Sequence, residues 1–215
     1  DCWQVARDAN GTLVPDPARF PSGMAHLADA IHTQYGLKFG LYTAQKQFTC
    51  QDRPGSYGFE AIDAKTMCEW RVDYLKIDKC HGLHHPELNT SWEVFRDGFD
   101  ACAKDTGHEI VESVESCGSV DGCGTWIAGV ADVWRIGQDI QANWDSIMSI
   151  IDLDNGLWEI AGPGAYNDAD ILQVGNVGLS DTEARSHFSL WCLLGSPLLI
   201  GTDLRTASNA TLATL

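Results

Sequence analysis

The sequence has few basic residues and no long apolar segment. Its 215 residues include 14 Lys and Arg against 30 Asp and Glu, giving a formal net charge of −16 at pH 7. Such an excess of negative charge disfavours binding to phosphate backbones and to anionic lipid surfaces. No apolar run is long enough to span a bilayer, and the chain starts without the pattern of a signal peptide. Nucleic acid and membranes are therefore poor candidates as partners, and a neutral substrate fits better.

Several signatures of common enzyme classes are absent as well. The chain has no G-x-G-x-x-G or P-loop pattern for a nucleotide, no G-x-S-x-G nucleophile elbow and no C-x-x-C pair. The histidines His81, His84 and His85 do not form the helical pattern of a zinc hydrolase, and the carboxylates are too dispersed for a hard-cation site. The sequence therefore predicts no nucleotide cofactor and no metal.

Cysteine, by contrast, is abundant. Eight cysteines are many for a protein of a reducing cytosol. Three glycosylation sequons, at Asn10, Asn89 and Asn209, also fit a protein of the secretory pathway. Each signal is weak alone, because sequons arise by chance and buried free cysteine is common. Together they favour export, with a mixture of disulfides and buried thiols.

Short apolar runs alternate with longer amphipathic segments along the whole chain. The apolar runs predict buried strands at 37–42, 74–78, 110–114, 133–137 and 198–201. Three- and four-residue repeats predict helices over 24–35, 92–102 and 144–151, with Gly36 and Gly107 as helix ends. This alternation is typical of a parallel sheet covered on both faces, and the absence of a nucleotide loop favours a barrel over a doubly wound sheet. Without any linker, we predict one domain.

Polar residues recur where the predicted strands end, which is where barrels carry their functional groups. Lys76 and Asp78 share one face of their strand, so the lysine is expected to keep the carboxylate ionised, as a nucleophile requires. A structural ion pair is the alternative. Asp139 follows the strand that contains Arg135, and two carboxylates on different strands suit glycoside hydrolysis. Helix capping is the alternative for Asp139.

Further aspartates and aromatic residues would suit a sugar ligand. Asp168 and Asp170 follow a Gly-Pro-Gly turn and are expected to share one face of a short strand, where they could bind hydroxyl groups. Trp3 and Tyr42 lie near strand ends, where a sugar ring could contact them. These residues predict a carbohydrate site at the ends of the strands.

Six segments in order along the chain resemble the α-galactosidases of glycoside hydrolase family 27. They are DCW (1–3), DPARFPSG (16–23), LKFGLY (37–42), VDYLKID (72–78), AGPGAYNDAD (161–170) and SPLLIGTDLR (196–205). The resemblance implies an α/β fold, a (β/α)8 TIM barrel followed by a β-sandwich. It implies that residues 1–215 are a catalytic barrel fragment, covering about strands three to eight from the end of strand two, without the first strands and the sandwich.

The resemblance also implies an activity and its residues. The activity is retaining hydrolysis of terminal α-galactosides without a metal or cofactor, in a secreted or lysosomal/vacuolar protein that acts on a small-molecule or oligosaccharide substrate. Asp78 is implied as the nucleophile and Asp139 as the acid/base. The expected substrate-binding residues are Asp1, Trp3, Tyr42, Lys76, Cys117, Gly118, Arg135 and Asp170.

Cysteine pairing follows from the same resemblance. It implies a Cys50–Cys80 disulfide beside the nucleophile. Cys117 lacks the family's frequent partner, because Ala131 stands there, and Cys123 is the nearest replacement. Three other cysteines fall on helical stripes and are expected to be buried thiols; they are Cys68, Cys102 and Cys192.

Departures from the family pattern bear on selectivity. Gly118 and Ser119 stand where acidic and aromatic residues often contact the second carbon of the sugar, and Lys79 replaces a small or amide residue. We therefore expect galactose to be preferred, with some tolerance of a 2-acetamido group. An α-N-acetylgalactosaminidase, a β-L-arabinopyranosidase, a glucan-cleaving relative and a non-catalytic sugar-binding homologue remain alternatives.

Overall fold

The computed structural model describes residues 1–87, 89–115 and 126–215. The chain forms two compact units, Asp1–Glu115 and Ser116–Leu215. Each unit contains parallel strands connected by helices, which is the arrangement that the sequence predicts. In the part of the chain that is described, no helix is long and apolar enough to cross a membrane.

The first unit begins with a hairpin and continues as alternating strands and helices. Strand β1 (Gln4–Arg7) pairs antiparallel with β2 (Leu13–Pro15). The following elements are α1 (Gly23–Tyr35), β3 (Gly40–Ala44), α2 (Glu60–Glu69), β4 (Tyr74–Asp78), α3 (Thr90–Thr106) and β5 (Val111–Val114). Strands β3, β4 and β5 are parallel neighbours, with Tyr42 opposite Lys76 and Ala44 opposite Asp78.

The predicted boundaries agree with most of these elements. Strand β4 has the predicted bounds, whereas β3 begins at Gly40 instead of residue 37. Just before the strand, the backbone nitrogen of Phe39 donates to Asp73 Oδ2 at 2.8 Å, so it is not part of the ladder. Helices α1 and α3 end as predicted, at Gly36 and Gly107, whose φ angles of 63° and 72° close the last turn in the left-handed region.

The core of the first unit lies between the strands and the outer helices. Leu75 and Ile77 are fully buried, and the side chains that alternate with them along β4 are half-buried. Trp92, Phe95 and Phe99 form the buried stripe of α3, as their spacing predicts. Burying aromatic residues of this size contributes a large share of the hydrophobic stabilisation of a domain.

Helices α2 and α3 are joined by a disulfide that the sequence did not predict. Cys68 and Cys102, expected as buried thiols, are bonded to each other, with their Cα atoms 5.9 Å apart, a usual separation for a disulfide. The backbones approach closely here, because a Cβ on Gly98 would lie 2.5 Å from Ala64 Cβ. The position of a cysteine on the apolar face of a helix predicts that it is buried. It does not reveal that another helix brings a second cysteine next to it.

The second unit is also built from parallel strands and helices. Its elements are β6 (Val133–Arg135), α4 (Trp144–Asp154), β7 (Tyr166–Asp168), α5 (Asp181–Leu194) and α6 (Asn209–Thr214), preceded by a 3₁₀ turn at Ile127–Gly129. Strands β6 and β7 are parallel, with Arg135 opposite Asp168. A capping box starts α5: Ser180 Oγ accepts a hydrogen bond from Glu183 N, and Glu183 Oε2 accepts one from Ser180 N.

A predicted strand and a predicted buried thiol of the second unit are wrong. Residues 198–201 form a single bridge between Ile200 and Leu172 instead of a strand, because one residue pair does not make a ladder. Leu198 and Ile200 are 45% and 44% exposed, so this apolar run is not buried either. Cys192, expected as a buried thiol, lies on the exposed side of the last turn of α5 as a free cysteine.

Candidate active site

Asp78 ends β4, and short hydrogen bonds hold both of its carboxylate oxygens. Tyr42 Oη donates to Oδ2 at 2.5 Å, and the backbone nitrogen of Lys79 donates to Oδ1 at 2.6 Å. Tyr42 comes from the neighbouring strand β3 and lies opposite Lys76. Short bonds of this kind are typical of an ionised acceptor. The carboxylate is therefore fixed in orientation while each oxygen retains a free lone pair.

Tyr42 remains a hydrogen-bond donor at neutral and acidic pH. Burial, and secondly the hydrogen bond to Asp78, raise the pKa of Tyr42 far above its usual range. Trp3 Nε1 donates to the carbonyl oxygen of Tyr42 at 2.7 Å, and the Trp3 ring packs edge-on against Trp70 with centroids 5.7 Å apart. Trp3 is only 4% exposed, so in this structure its ring packs inside the first unit and supports the strand of Tyr42.

The loops that follow β3 and β4 are joined beside Asp78. A Cys50–Cys80 disulfide is present, as the family resemblance implies. Cys80 Sγ lies 3.3 Å from Tyr42 Oη, and Cys50 Sγ lies 3.8 Å from Asp78 Oδ2. These two sulfurs and Asp78 form a cluster of potential metal-ligand atoms, but sulfurs joined in a disulfide are not the thiolates that bind metals.

Asp1 is attached to the loop that contains Cys50. Thr49 Oγ1 donates to Asp1 Oδ1 at 2.9 Å, and the backbone nitrogen of Gln51 donates to Asp1 Oδ2 at 3.1 Å. Both donors are sequence neighbours of Cys50, whose sulfur contacts Asp78. The first unit thus gathers three of the predicted site residues, Asp1, Tyr42 and Asp78, around one disulfide.

Lys76 pairs with a carboxylate other than the predicted one. It shares a face of β4 with Asp78, but its Nζ lies 2.9 Å from Glu115 Oε2, with side chains 20% and 15% exposed. Glu115 directly follows β5 and was not among the predicted site residues. A signal was available, because Glu115 follows an apolar strand in the same way that Asp78 ends β4. Sequence spacing identifies the face that a charge occupies but not its partner on the next strand.

In the second unit, Arg135 connects two of the predicted aspartates. Its Nη2 lies 2.8 Å from Asp170 Oδ2 and 3.3 Å from Asp139 Oδ1. Arg135 ends β6 and is 5% exposed, whereas the Asp139 side chain is 85% exposed. The backbone nitrogen of Ile140 donates to Asp170 Oδ2 at 2.8 Å, so Asp170 holds both the arginine and the residue after Asp139. Burial of the guanidinium makes its paired carboxylates important for stability.

The alternative role considered for Asp139 is not observed. Asn143, not Asp139, caps α4, since its side chain accepts a hydrogen bond from Ser146 N at 2.9 Å. The predicted pairing of Asp168 and Asp170 on one strand face is wrong, because β7 ends at Asp168 and Asp170 adopts φ 77° beyond it. Asp168 is buried and its Oδ1 accepts a hydrogen bond from Asp170 N at 2.8 Å.

Four residues named in the predictions fall between residues 116 and 125. Cys117, Gly118, Ser119 and Cys123 lie outside the described residues. The Cys117–Cys123 disulfide and the contacts expected at the second carbon of the sugar therefore stay predictions.

Parallel strands alternating with helices, and polar groups at the carboxyl ends of the strands, define an α/β protein of the barrel class. In the first unit Tyr42 holds the carboxylate of Asp78, and in the second unit Arg135 holds that of Asp170, each near the end of a strand. The family model Melibiase_2, described as alpha galactosidase A, matches residues 1–215. The chain belongs to this family, the α-galactosidase family of glycoside hydrolase family 27.

Curated relatives and solved structures agree with this assignment. The chain is 42% identical over 216 residues to alpha-galactosidase 3 of Arabidopsis thaliana, covering 100% of this chain and 48% of that protein. It is 40% identical over 218 residues to the alpha-N-acetylgalactosaminidase of Mus musculus, covering 97% and 51%. The structure of the Saccharomyces cerevisiae α-galactosidase with raffinose has a TM-score of 0.89 at 31% identity, covering 100% and 52%.

The chain spans about half the length of the curated relatives that it matches. The likeness to solved family structures confirms the predicted fold class, an incomplete (β/α)8 barrel.

Proposed function

We propose that the whole protein releases terminal α-linked galactose from galactosides by hydrolysis with net retention. The observation that carries this proposal is the Asp78 carboxylate, fixed at the end of a parallel strand by Tyr42 Oη and Lys79 N within a chain of this family. A nucleophile must keep one orientation through two chemical steps, and both of its oxygens are held here. Galactosides of small alcohols and of oligosaccharides are the proposed substrates.

In the proposed mechanism, Asp78 attacks the anomeric carbon while the protonated Asp139 gives its proton to the leaving oxygen. A covalent glycosyl–enzyme forms and the aglycone leaves as an alcohol. Asp139, now ionised, takes a proton from water, which opens the ester between the sugar and Asp78 and regenerates both carboxyl groups. The 85% exposure of the Asp139 side chain supports this role, because the group must exchange protons in each cycle.

The stereochemistry of the first product tests the mechanism. The full-length protein is mixed with an aryl α-galactoside, and proton NMR is recorded before the released galactose equilibrates between its anomers. We expect the α-anomer to appear first. Release of the β-anomer first would exclude double displacement, and an absence of hydrolysis would favour a sugar-binding homologue.

A second candidate activity is the hydrolysis of α-N-acetylgalactosaminides. It is favoured by the 40% identity to the mouse protein of that name and by Gly118 and Ser119 in the sequence. Small residues at that point would leave room for a 2-acetamido group. The ratio of kcat/KM for aryl α-galactoside and aryl α-N-acetylgalactosaminide decides between the two. We expect galactose to be preferred with measurable acetamido turnover, and a preference for the acetamido sugar would reverse the choice of substrate.

The proposed location is outside the cytosol, in a secreted or lysosomal/vacuolar compartment. Two disulfides within the first unit support this location, since such bonds persist in oxidising compartments. Non-reducing peptide mapping of protein from its native source tests it. Free thiols at Cys50, Cys68, Cys80 and Cys102 would contradict export.

A further inference from the structure

One helix of the second unit holds the backbone on both sides of Asp170. Trp191 Nε1 donates to the carbonyl oxygen of Asp170 at 2.7 Å. His187, one turn earlier on α5, accepts a hydrogen bond on Nε2 from the backbone nitrogen of Gln173 at 3.0 Å. Ser196, just past the end of α5, accepts one on Oγ from the nitrogen of Ala169 at 2.9 Å. Residues 169–173 are therefore fixed at three points by α5 and by Ser196, two residues after its end.

These contacts maintain a backbone conformation that Asp170 would not adopt readily. Its φ of 77° lies in the left-handed region, which residues with a side chain seldom adopt and which persists where the surroundings impose it. The hydrogen bonds from Trp191 and to His187 are two such constraints. Relaxation of φ at Asp170 would redirect its carboxylate.

The direction of that carboxylate determines where the proposed acid/base lies. Asp170 Oδ2 accepts a hydrogen bond from Ile140 N and pairs with Arg135 Nη2. Ile140 is the residue after Asp139, and Arg135 contacts Asp139 Oδ1 at 3.3 Å. A shift of Asp170 would therefore also move Asp139, through the backbone of Ile140 and through the guanidinium of Arg135.

His187 is in the protonation state that this arrangement needs. Its Nε2 can accept a hydrogen bond from an amide only when it carries no proton. The side chain is fully buried, and burial lowers the pKa of His187 to about 4. The Trp191 ring packs edge-on against it, with centroids 4.1 Å apart and planes at 81°. The acceptor is thus maintained at neutral and mildly acidic pH.

We propose that His187 and Trp191 are positioning residues for catalysis, because they hold Asp170 in the conformation from which it orients Arg135 and the loop that carries Asp139. This inference rests on the proposed role of Asp139 as the acid/base. Neither side chain is proposed to touch the substrate. They act through the backbone of residues 170–173 and the carboxylate of Asp170.

The decisive experiment compares His187→Leu with His187→Gln in the full-length protein. Leucine fills a similar volume but accepts no hydrogen bond, whereas Gln Oε1 reaches the place of Nε2. Two substrates are used: phenyl α-galactoside, whose departure needs the acid, and 2,4-dinitrophenyl α-galactoside, whose departure does not. Ser189→Ala, on the exposed face of α5, serves as a matched control.

We expect His187→Leu to lower kcat for the phenyl substrate about tenfold or more but for the dinitrophenyl substrate less than about threefold. His187→Gln is expected to stay within about threefold of the unsubstituted protein on both substrates. Equal losses on both substrates would indicate a purely structural role and would overturn the proposal. So would a glutamine variant as impaired as the leucine variant. Trp191→Phe should show the same substrate dependence as His187→Leu.

A structural readout keeps this test independent of the proposed activity. Crystal structures of the His187→Leu and His187→Gln variants are compared at the Arg135 Nη2–Asp170 Oδ2 contact. The contact should lengthen in the leucine variant and persist in the glutamine variant. An unchanged contact in His187→Leu overturns the proposal even if the protein hydrolyses galactosides. If the unsubstituted protein hydrolyses neither substrate, the proposed function fails while this comparison still decides the positioning role.

Discussion

The two carboxylates proposed for catalysis are held in very different ways. Asp78 lies on a strand, accepts two hydrogen bonds of 2.5 and 2.6 Å, and has a disulfide beside it. Asp139 lies on a loop, is 85% exposed, and its side chain contacts Arg135 at 3.3 Å. A nucleophile gains from fixed geometry, whereas a group that accepts and donates a proton in each cycle gains from access to water. The comparison suggests that rigidity is distributed according to chemical role.

The largest expected effect is the loss of Asp78, the proposed nucleophile. Asp78→Ala should lower kcat on any α-galactoside by about 10⁴-fold or more, because the proposed covalent intermediate forms on this carboxylate. Steady-state assays with an aryl α-galactoside measure it. Asp52→Asn is the control, since Asp52 lies two residues after Cys50 and its exposed carboxylate contacts His81 Nε2 at 2.7 Å. Near-normal turnover by Asp78→Ala would assign the nucleophile elsewhere.

Loss of the acid/base should be smaller and should depend on the substrate. Asp139→Asn is expected to lower kcat/KM by about 10²- to 10⁴-fold for a poor leaving group and much less for a dinitrophenyl leaving group. A series of aryl galactosides with different leaving-group pKa values measures this dependence. A loss that is uniform across the series would show that Asp139 supports the site instead of donating the proton.

Removing the two disulfides should separate stability from activity. The double variant Cys68→Ala/Cys102→Ala should lower the free energy of unfolding by about 2–4 kcal/mol, as expected for loops of this length, with kcat unchanged. Cys50→Ala/Cys80→Ala should cost a similar amount and also lower kcat/KM, because its sulfurs contact Tyr42 and Asp78. Denaturant titration with parallel assays measures both. If the two double variants changed kcat/KM equally, the proposed link between the Cys50–Cys80 disulfide and the active site would be contradicted.

Burial of His187 predicts that the stability of the protein depends on pH. His187 has a pKa of about 4 in the folded protein against 6.5 as the reference value. Below pH 6.5 the unfolded chain binds a proton that the folded protein does not, so stability falls as the pH drops from 6.5 to about 4 and then levels off. The full loss is roughly 3 kcal/mol. Denaturant titrations should show this loss relative to His187→Gln, and parallel pH profiles for the two proteins would contradict it.

The smallest expected effect concerns Lys76. The ion pair between Lys76 and Glu115 is partly exposed, so a double-mutant cycle with Lys76→Met and Glu115→Gln should give a coupling energy of roughly 1–2 kcal/mol. Thermal or denaturant unfolding of the four proteins measures it. A coupling near zero would contradict a stabilising ion pair between Lys76 and Glu115.

Strands and helices could be predicted from the sequence where their apolar residues follow a regular pattern. Strand β4 could be predicted residue by residue, because Leu75 and Ile77 alternate with polar neighbours and Asp78 ends the run. Helices α1 and α3 could be predicted from their apolar repeats and terminal glycines. The family motifs then supplied the Cys50–Cys80 pairing, which spacing alone does not contain.

Helix α2 could not be predicted, because its buried face carries charge. Glu60 and Asp63 are buried there, and their partners are His85 and Arg7, the latter 56 residues away in the chain. Burial raises the pKa of Asp63 although Arg7 opposes the shift. An apolar pattern is absent where a distant residue compensates a buried charge. The same limit applies to His187, whose partner is a backbone nitrogen and leaves no trace in the sequence.

The order of the cysteines along the chain has a consequence for proteolysis. The Cys50–Cys80 and Cys68–Cys102 loops overlap, since Cys68 lies inside the first loop and Cys80 inside the second. A protease that cuts any single peptide bond between residues 50 and 102 therefore leaves two pieces joined by at least one covalent bond. The nicked molecule would migrate as one chain without reductant and as two with it. Surface loops such as 81–87 can thus be cleaved without the pieces separating.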